Sequence, residues 1–385
     1  MTTSRTSPAA RLHGSADRAP SPLAAGSAEP PAVLFDVALL DLDGVVYVGP
    51  AAVPGVPAAL EAARRAGMRL GFVTNNAART PQQVADHLTE LSVPAEPDDV
   101  ITSSQAAASV VAALVGSNAR VLPVGGPGVA AALTAAGLTV VERAEDAPAA
   151  VVQGYGPSVG WTQLAEAVVA VRGGARHVAT NADATIPSPR GVLPGNGALV
   201  GVVSAVTGQP PLVAGKPDPA MHAECVRRTG ARRPLVVGDR LDTDIEGARR
   251  AGAASLLVLS GVTGPPEMLA AGPDHRPDLL ARDAAGLLTV HPPVVPVDGG
   301  WQCGTWRARA GGPGVVTLVA GGAVGRGADR DAPTRAGSSG DDLDGLRALA
   351  VAHWAAAGER PQPAVVRAGD DAAAQAVTAW GLEVP

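Results

Sequence analysis

Residues 39–50 read LLDLDGVVYVGP, with two carboxylates two positions apart, directly behind an apolar run and in front of a glycine. Asp and Gly are frequent where strands stop, because Asp accepts hydrogen bonds from the following amides and Gly tolerates positive φ. The residues before the pair decide more. Val37, Ala38, Leu39 and Leu40 are uninterruptedly apolar, the pattern of a strand covered on both faces, as in a parallel sheet. Ligands gather at the carboxyl ends of such strands, which is where Asp41 and Asp43 fall. Two carboxylates crowded there call for a positive partner.

The same rhythm continues along the chain. A helix over 57–66, closed by Gly67, leads to a strand over 70–73 that ends on Thr74, Asn75 and Asn76, which makes a right-handed βαβ unit. From residue 211 to about 262 it returns: LVAGK, a helix over 218–228, a strand over 235–237 closing on GDRLDTD, a helix to Arg250 and a strand over 255–259. Four expected strand ends therefore carry polar tips, namely Asp41 with Asp43, Thr74 with Asn75 and Asn76, Lys216, and Asp239 with Asp244. The long insertion between the second and third tips has its own helix–strand alternation and predicts an inserted domain.

The expected architecture is α/β: a Rossmann-like parallel sheet core over 33–84 and 209–290, an inserted α/β cap domain over 85–208, and a small C-terminal α/β module over 291–385 behind a Pro-rich linker. Residues 1–32, rich in Ser, Pro, Ala and Gly and without an apolar signal core, predict a disordered tail. Two glycine runs carry no nucleotide site. LPVGGPGVAAAL at 122–133 departs from the GxGxxG spacing and predicts a tight strand-to-helix turn; GGAVGRG at 321–327 has no helix behind it and predicts a loop. Acetyl transfer by residues 300–385 is accordingly not expected.

Composition narrows the function. A formal net charge of −6 argues against nucleic-acid binding, no apolar run reaches membrane-spanning length, and the two cysteines, Cys225 and Cys303, lack metal-ligand spacing. A cytoplasmic location is expected. Of 30 basic residues, Lys216 is the only lysine. Lysine and arginine differ most where a compact point charge must fit among phosphate and carboxylate oxygens.

Assembled, the four tips describe phosphoryl transfer. An Asp carboxylate can attack phosphorus and divide one hard hydrolysis into two steps. A second Asp two residues on can protonate the departing alkoxide and then deprotonate water. Asp41 and Asp239, with the carbonyl of Asp43, offer hard oxygen ligands suited to Mg²⁺, with Asp244 placed to orient a metal-bound water. Thr74 and the adjacent amides can bond phosphoryl oxygens while Lys216 offsets their charge.

DLDGVVY, FVTNN, GKPDP and GDRLDTDI resemble the four motifs of the haloacid dehalogenase-like phosphatases, and the long insertion resembles their type-two cap. The likeness covers roughly residues 33–262. It is greatest to the 4-nitrophenyl phosphatase and phosphoglycolate phosphatase branch, and within it to actinobacterial glycerol-3-phosphate phosphatases with an acetyltransferase-like tail. The resemblance implies Asp41 as nucleophile, Asp43 as acid/base, Asp41, Asp43 and Asp239 around Mg²⁺, and Thr74, Asn75, Asn76 and Lys216 as phosphate contacts. The cap segment 179–199 resembles the substrate-specificity loop of the family. There Ile186, apolar and unable to bond a pyridine ring, favours a small phosphate ester, and Arg190 offers a second anion contact. The expected partner is a small-molecule phosphate ester, glycerol 3-phosphate ahead of 2-phosphoglycolate, without nucleic acid or membrane and with a homodimer through the cap left open. The rival from another class, a phosphatase-like scaffold serving the C-terminal module, would be expected to have lost the nucleophile or the metal carboxylates.

Overall fold

In the computed structural model, Val37–Leu40 is a central strand of a six-stranded parallel sheet, and all four of its residues are buried. The structure describes residues 22–186, 190–321 and 342–382. The sheet runs Leu279–Ala281, Ala254–Val258, Pro234–Gly238, Val37–Leu40, Arg69–Thr74, Val100–Thr102. Every neighbouring pair is parallel. The chain winds outward in one direction from the first strand and in the other from Pro234–Gly238, so the order reverses between these two neighbours. The crevice at such a reversal lies above the carboxyl ends of the strands that flank it. Asp41 and Asp239 are the residues that follow those two ends.

Alternate side chains explain the double burial. Ala38, Leu40, Phe72, Leu235, Val237 and Leu256 pack in a cluster on one face, and Val37, Leu39, Val73 and Ile101 pack in another with Met221 and Cys225. The second cluster continues into the cap through Ala106, Val111, Val121, Val129 and Val152. Helix Ser103–Val115, whose first half is buried, is the shared wall between the two sheets. The cap sheet is also wholly parallel and runs Leu212–Val213, Arg176–Ala179, Ala150–Gln153, Arg120–Val124, Thr139–Val140.

Three expected boundaries change. Helix Pro81–Glu90 buries Val84, Ala85 and Leu88 in the core cluster, and Val100–Thr102 is a core edge strand, so core structure extends past residue 84. The strand expected ahead of Lys216 belongs to the cap sheet, because Leu212 and Val213 pair with Val178 and Ala179. Residues 22–32 are also not a tail. Leu23 and Ala24 are buried, the Ser27 amide donates to the His291 carbonyl at 2.7 Å, and Pro31–Leu34 is a short helix. Residues 1–21 lie outside the described residues.

The C-terminal module is not hung on a linker. Val295–Val297 of the Pro-rich segment already pairs with Gly300–Cys303, opening a sheet that continues through Trp306–Gly312 and Val315–Ala320 to Val365–Ala368. Helix Asp344–Ala357 is buried almost all round because it lies between this sheet and the core. Leu346, Leu349 and Trp354 share one cluster with Leu257, Met268, Leu269 and Leu280 of the core and with Leu23. Trp354 Nε1 donates to the Leu269 carbonyl at 2.9 Å and Arg347 donates to that of Leu280, so two buried polar side chains of the helix are bonded to the domain it covers. Of the glycine run 321–327, only Gly321 lies within the described residues. No helix among the described residues is long and apolar enough to cross a membrane.

Candidate functional site

Four segments deliver charged groups to one point above the sheet. Asp41 leaves the first strand and Asp239 leaves its neighbour Pro234–Gly238. Asp244 comes back one turn later, from the wide turn Leu241–Ile245. Lys216 arrives from the opposite side, on the loop between the cap edge strand and helix Pro219–Thr229. Its Nζ lies 2.8 Å from Asp41 Oδ1 and 2.7 Å from Asp244 Oδ1. The positive partner of Asp41 is thus the single lysine of the chain, which is shared with Asp244 and not with Asp43.

The question raised by the glycine after Asp43 has a tertiary answer. Gly44 has φ of +84°, and a Cβ there would lie 2.4 Å from Asp239 Oδ2. A Cβ on Gly261 would lie 2.0 Å from the same oxygen, and one on Gly238 would lie 2.2 Å from Asp244 Cβ. The acids are seated against glycine backbone because any side chain would displace them.

The charges are unequal in their surroundings. Burial, and then the charge of Asp41, raises Asp239 to about 6. Burial, again followed by Asp41, raises Asp43, which is exposed to the cleft. Burial alone would lower Lys216, but the carboxylates of Asp244 and Asp41 override it and hold the ammonium above the usual lysine range. Burial raises Asp244, with the Lys216 ammonium opposing it. A carboxylate raised by burial and like charge is one a cation would relieve.

The residues present fit such a cation. Oxygens of Asp41, Asp239 and Asp244 all lie within 4.8 Å of one another. Asp239 Oδ2 accepts from the Val262 amide at 2.6 Å, whereas Asp239 Oδ1 is buried with no hydrogen-bond partner among the described residues. Both oxygens of Asp244 are engaged, Oδ1 by Lys216 and Oδ2 by the Arg240 amide at 3.2 Å. An all-oxygen set with one orphaned buried oxygen suits a hard divalent ion. The Asp43 carboxylate is outside this close triad.

The remaining expected residues divide. Thr74 is buried at its strand end, its hydroxyl accepting from the Asn76 amide at 3.0 Å, which leaves the hydroxyl hydrogen to donate. Asn76 turns back to accept from the Ala78 amide at 2.9 Å. Asn75 lies at the edge of the cleft between core and cap, and its side chain is bonded to Lys216 and to Asp183 of the cap. Its Oδ1 accepts from the Lys216 amide at 2.9 Å and its Nδ2 faces the Lys216 carbonyl at 3.2 Å.

Core and cap enclose a cleft of about 710 Å³, bounded below by Asp41, Asp43, Thr74 and Lys216. Ile186, in the short hairpin strand Thr185–Ile186, lines it; Arg190 is exposed and is not among its lining residues. The cap also contributes Tyr155, which motif reasoning missed, and Asn181, Asp183 and Asn196, which lie in the segment 179–199 but were not singled out within it. A signal for them existed: Asn181 and Asp183 follow the cap strand Arg176–Ala179 as a polar tip, the feature that marked the other four. The glycines at 125, 126 and 128 are explained by close approach of backbone. A Cβ on Gly126 or Gly128 would strike Ala78 or the carbonyls of Ala77 and Arg79, where the chain passes between core and cap.

Residues 38–139 match the family described as haloacid dehalogenase-like hydrolase, and 213–287 match a second HAD-hydrolase-like family. A D-glycerol 3-phosphate phosphatase from Mycobacterium tuberculosis is 43% identical over 361 residues, spanning 90% of this chain and 94% of that protein. The chain belongs to the haloacid dehalogenase-like hydrolases. Within this family an acid sugar phosphatase from Staphylococcus haemolyticus is 38% identical over 58% of the chain and 85% of its own length. The crystal structure of a glycerol phosphate phosphatase from Mycobacterium tuberculosis in complex with magnesium superposes with a TM-score of 0.79 at 42% identity, covering 92% of this chain and 99% of that one. A 4-nitrophenylphosphatase from Thermotoga maritima superposes at 0.62 and 30% identity, over 67% of this chain and 98% of its own. Residues 303–382 match the GCN5-related N-acetyltransferase-like domain.

Proposed function

We propose that this chain is a Mg²⁺-dependent phosphatase that hydrolyses glycerol 3-phosphate through an aspartyl-phosphate intermediate. The observation that carries the proposal is the convergence of Asp41, Lys216, Asp239 and Asp244 under a cleft that opens toward the cap. The identity to the mycobacterial glycerol phosphate phosphatase over nearly the whole chain supports the substrate.

In the first step an Asp41 oxygen bonds to phosphorus as the bond to the glycerol oxygen breaks, and Asp43 gives its proton to the departing alkoxide. In the second, water attacks the same phosphorus, its proton passes to Asp43, and the Asp41 carboxylate is released with inorganic phosphate. Asp43 suits both steps because burial and the charge of Asp41 raise its pKa, keeping a proton available. Lys216 and the Thr74 hydroxyl bind the phosphoryl oxygens. Asp41, Asp239 and the Asp43 carbonyl would hold Mg²⁺, with Asp244 behind them orienting a coordinated water. When bound, the ion neutralises the charge that crowds phosphorus and carboxylates together.

Ile186 and the cap tip at Asn181 and Asp183, which line the cleft, would face the leaving group. The paired cap helices Trp161–Arg172 and Asn196–Thr207 leave Trp161, Val169, Val202 and Val206 exposed, which supports a homodimer through the cap, measurable by sedimentation.

The test is a panel of phosphate esters with and without Mg²⁺. Glycerol 3-phosphate should give the highest kcat/KM, and Asp41→Asn should reduce turnover on the order of 10³-fold or more with the fold retained. Near wild-type turnover by that variant would remove the nucleophile from the mechanism.

A further inference from the structure

We infer that Asn75 is a positioning residue that fixes Lys216 and is itself gripped by the cap, so that the seating of the cap sets where the Lys216 ammonium lies. The inference rests on the phosphatase proposal above. A carboxamide has one acceptor oxygen and a nitrogen with two donors. Asn75 Oδ1 accepts from the Lys216 amide at 2.9 Å, and the two acceptors facing Nδ2 are the Lys216 carbonyl at 3.2 Å and Asp183 Oδ2 at 3.4 Å. With both donors turned to protein acceptors, the side chain has none for a phosphate oxygen. It brackets instead both backbone polar groups of the residue whose Nζ reaches Asp41 and Asp244.

Two further contacts hold Asn75 itself. Its carbonyl accepts from Asn181 Nδ2 at 2.7 Å and from Ser103 Oγ at 2.8 Å. Asn181 and Asp183 stand on one cap loop, and the Asp183 backbone is locked by a bond from the Gly197 amide at 2.9 Å. Gly215 completes the fit: a Cβ there would lie 2.7 Å from Asn75 Oδ1 and 2.2 Å from the Thr180 carbonyl, so only glycine lets the Lys216 loop lie this close to both. The cap loop that lines the cleft and the lysine that binds phosphate are therefore joined through one side chain.

The test is a double-mutant cycle read by affinity for inorganic phosphate in Mg²⁺ and by residual turnover of 4-nitrophenyl phosphate, neither of which depends on the natural substrate. Asn75→Ala should weaken phosphate about tenfold in the wild-type background and by less than about twofold when Lys216→Ala is already present. Asn75→Asp, of the same shape but without the Nδ2 donors, should match the alanine variant and keep the same melting temperature within a few degrees. Asp183→Ala, which removes one of the two cap contacts and leaves that of Asn181, should cost about threefold. An equal loss from Asn75→Ala in both backgrounds would make Asn75 a direct phosphate ligand, and wild-type affinity in Asn75→Ala would make it a bystander; either overturns the inference. Failure to hydrolyse glycerol 3-phosphate would count against the proposed substrate and leave the cycle readable.

Discussion

Replacing Lys216 by arginine keeps the charge and should still disable the enzyme. The ammonium nitrogen is a single atom 2.8 Å from Asp41 and 2.7 Å from Asp244, on a side chain only 10% exposed. A guanidinium is planar and broader, with its donors on separate atoms, and the backbone of residue 216 has no freedom to retreat because Asn75 holds it. It can keep one carboxylate but not both from the same point. Loss of one charge-assisted bond, about 1.5–3 kcal/mol, corresponds to about 10- to 150-fold in kcat/KM. Lys216→Ala loses both bonds and the charge facing the phosphoryl group, which places it at about 10³-fold. The assay is steady-state kcat/KM on glycerol 3-phosphate with saturating Mg²⁺, with circular dichroism to verify the fold. The chain has 29 arginines and one lysine; an arginine variant within about threefold of wild type would show that the lysine is incidental and refute the point-charge argument.

Asp239→Ala should raise the Mg²⁺ concentration needed for half-maximal activity or abolish activity, and should shrink the rise in melting temperature that Mg²⁺ gives; an unchanged rise would take Asp239 out of the metal site. Trp354→Ala should destabilise the protein by about 3–5 kcal/mol, seen in denaturant unfolding, because it empties the joint between the C-terminal helix and the core and frees the Leu269 carbonyl. Unfolding of the module alone, with the core transition unmoved, would contradict a shared core. Burial pushes Glu224 up, but hydrogen bonds from Arg227, Arg228 and Ser109 outweigh it and hold the carboxyl below the ordinary glutamate value of 4.5. Its unfolded form therefore binds the proton first, so its stabilisation is complete above about pH 4.5 and is lost as pH falls through the lower folded value. Glu224→Gln should flatten the fall of melting temperature below pH 4.5, and a slope identical to wild type would show that the cluster contributes nothing there.

The sequence by itself determined the parts whose signal is local. An apolar run covered on both faces, the return of that run at helix-length intervals, and a polar residue placed just past each strand end are all visible within a dozen residues. Asp41, Asp43, Thr74, Lys216 and Asp239 could be picked out on that basis, and the insertion between the second and third tips announced a second α/β layer. Only the tertiary structure decided that Leu212 and Val213 pair with the cap, since a two-residue apolar stretch fits the edge of either sheet. It decided likewise that residues 22–32 pack: Leu23 is buried in one cluster with Trp354 and Leu346 of helix Asp344–Ala357, and a segment rich in Pro and Ala shows no sign of the surface that will cover it. The contacts of Asn75 were hidden for the same reason, because an asparagine beside a strand-end threonine looks the same whether its carboxamide meets a ligand or a backbone 141 residues away. Gly44 marks the boundary most clearly. Its neighbours predict a turn, but what requires glycine there is the carboxylate of Asp239, brought within 2.4 Å of the missing Cβ by the pairing of two strands that the chain makes far apart. Periodicity and turn chemistry are written along the chain, whereas close approach is a property of space and is settled only when distant strands have met.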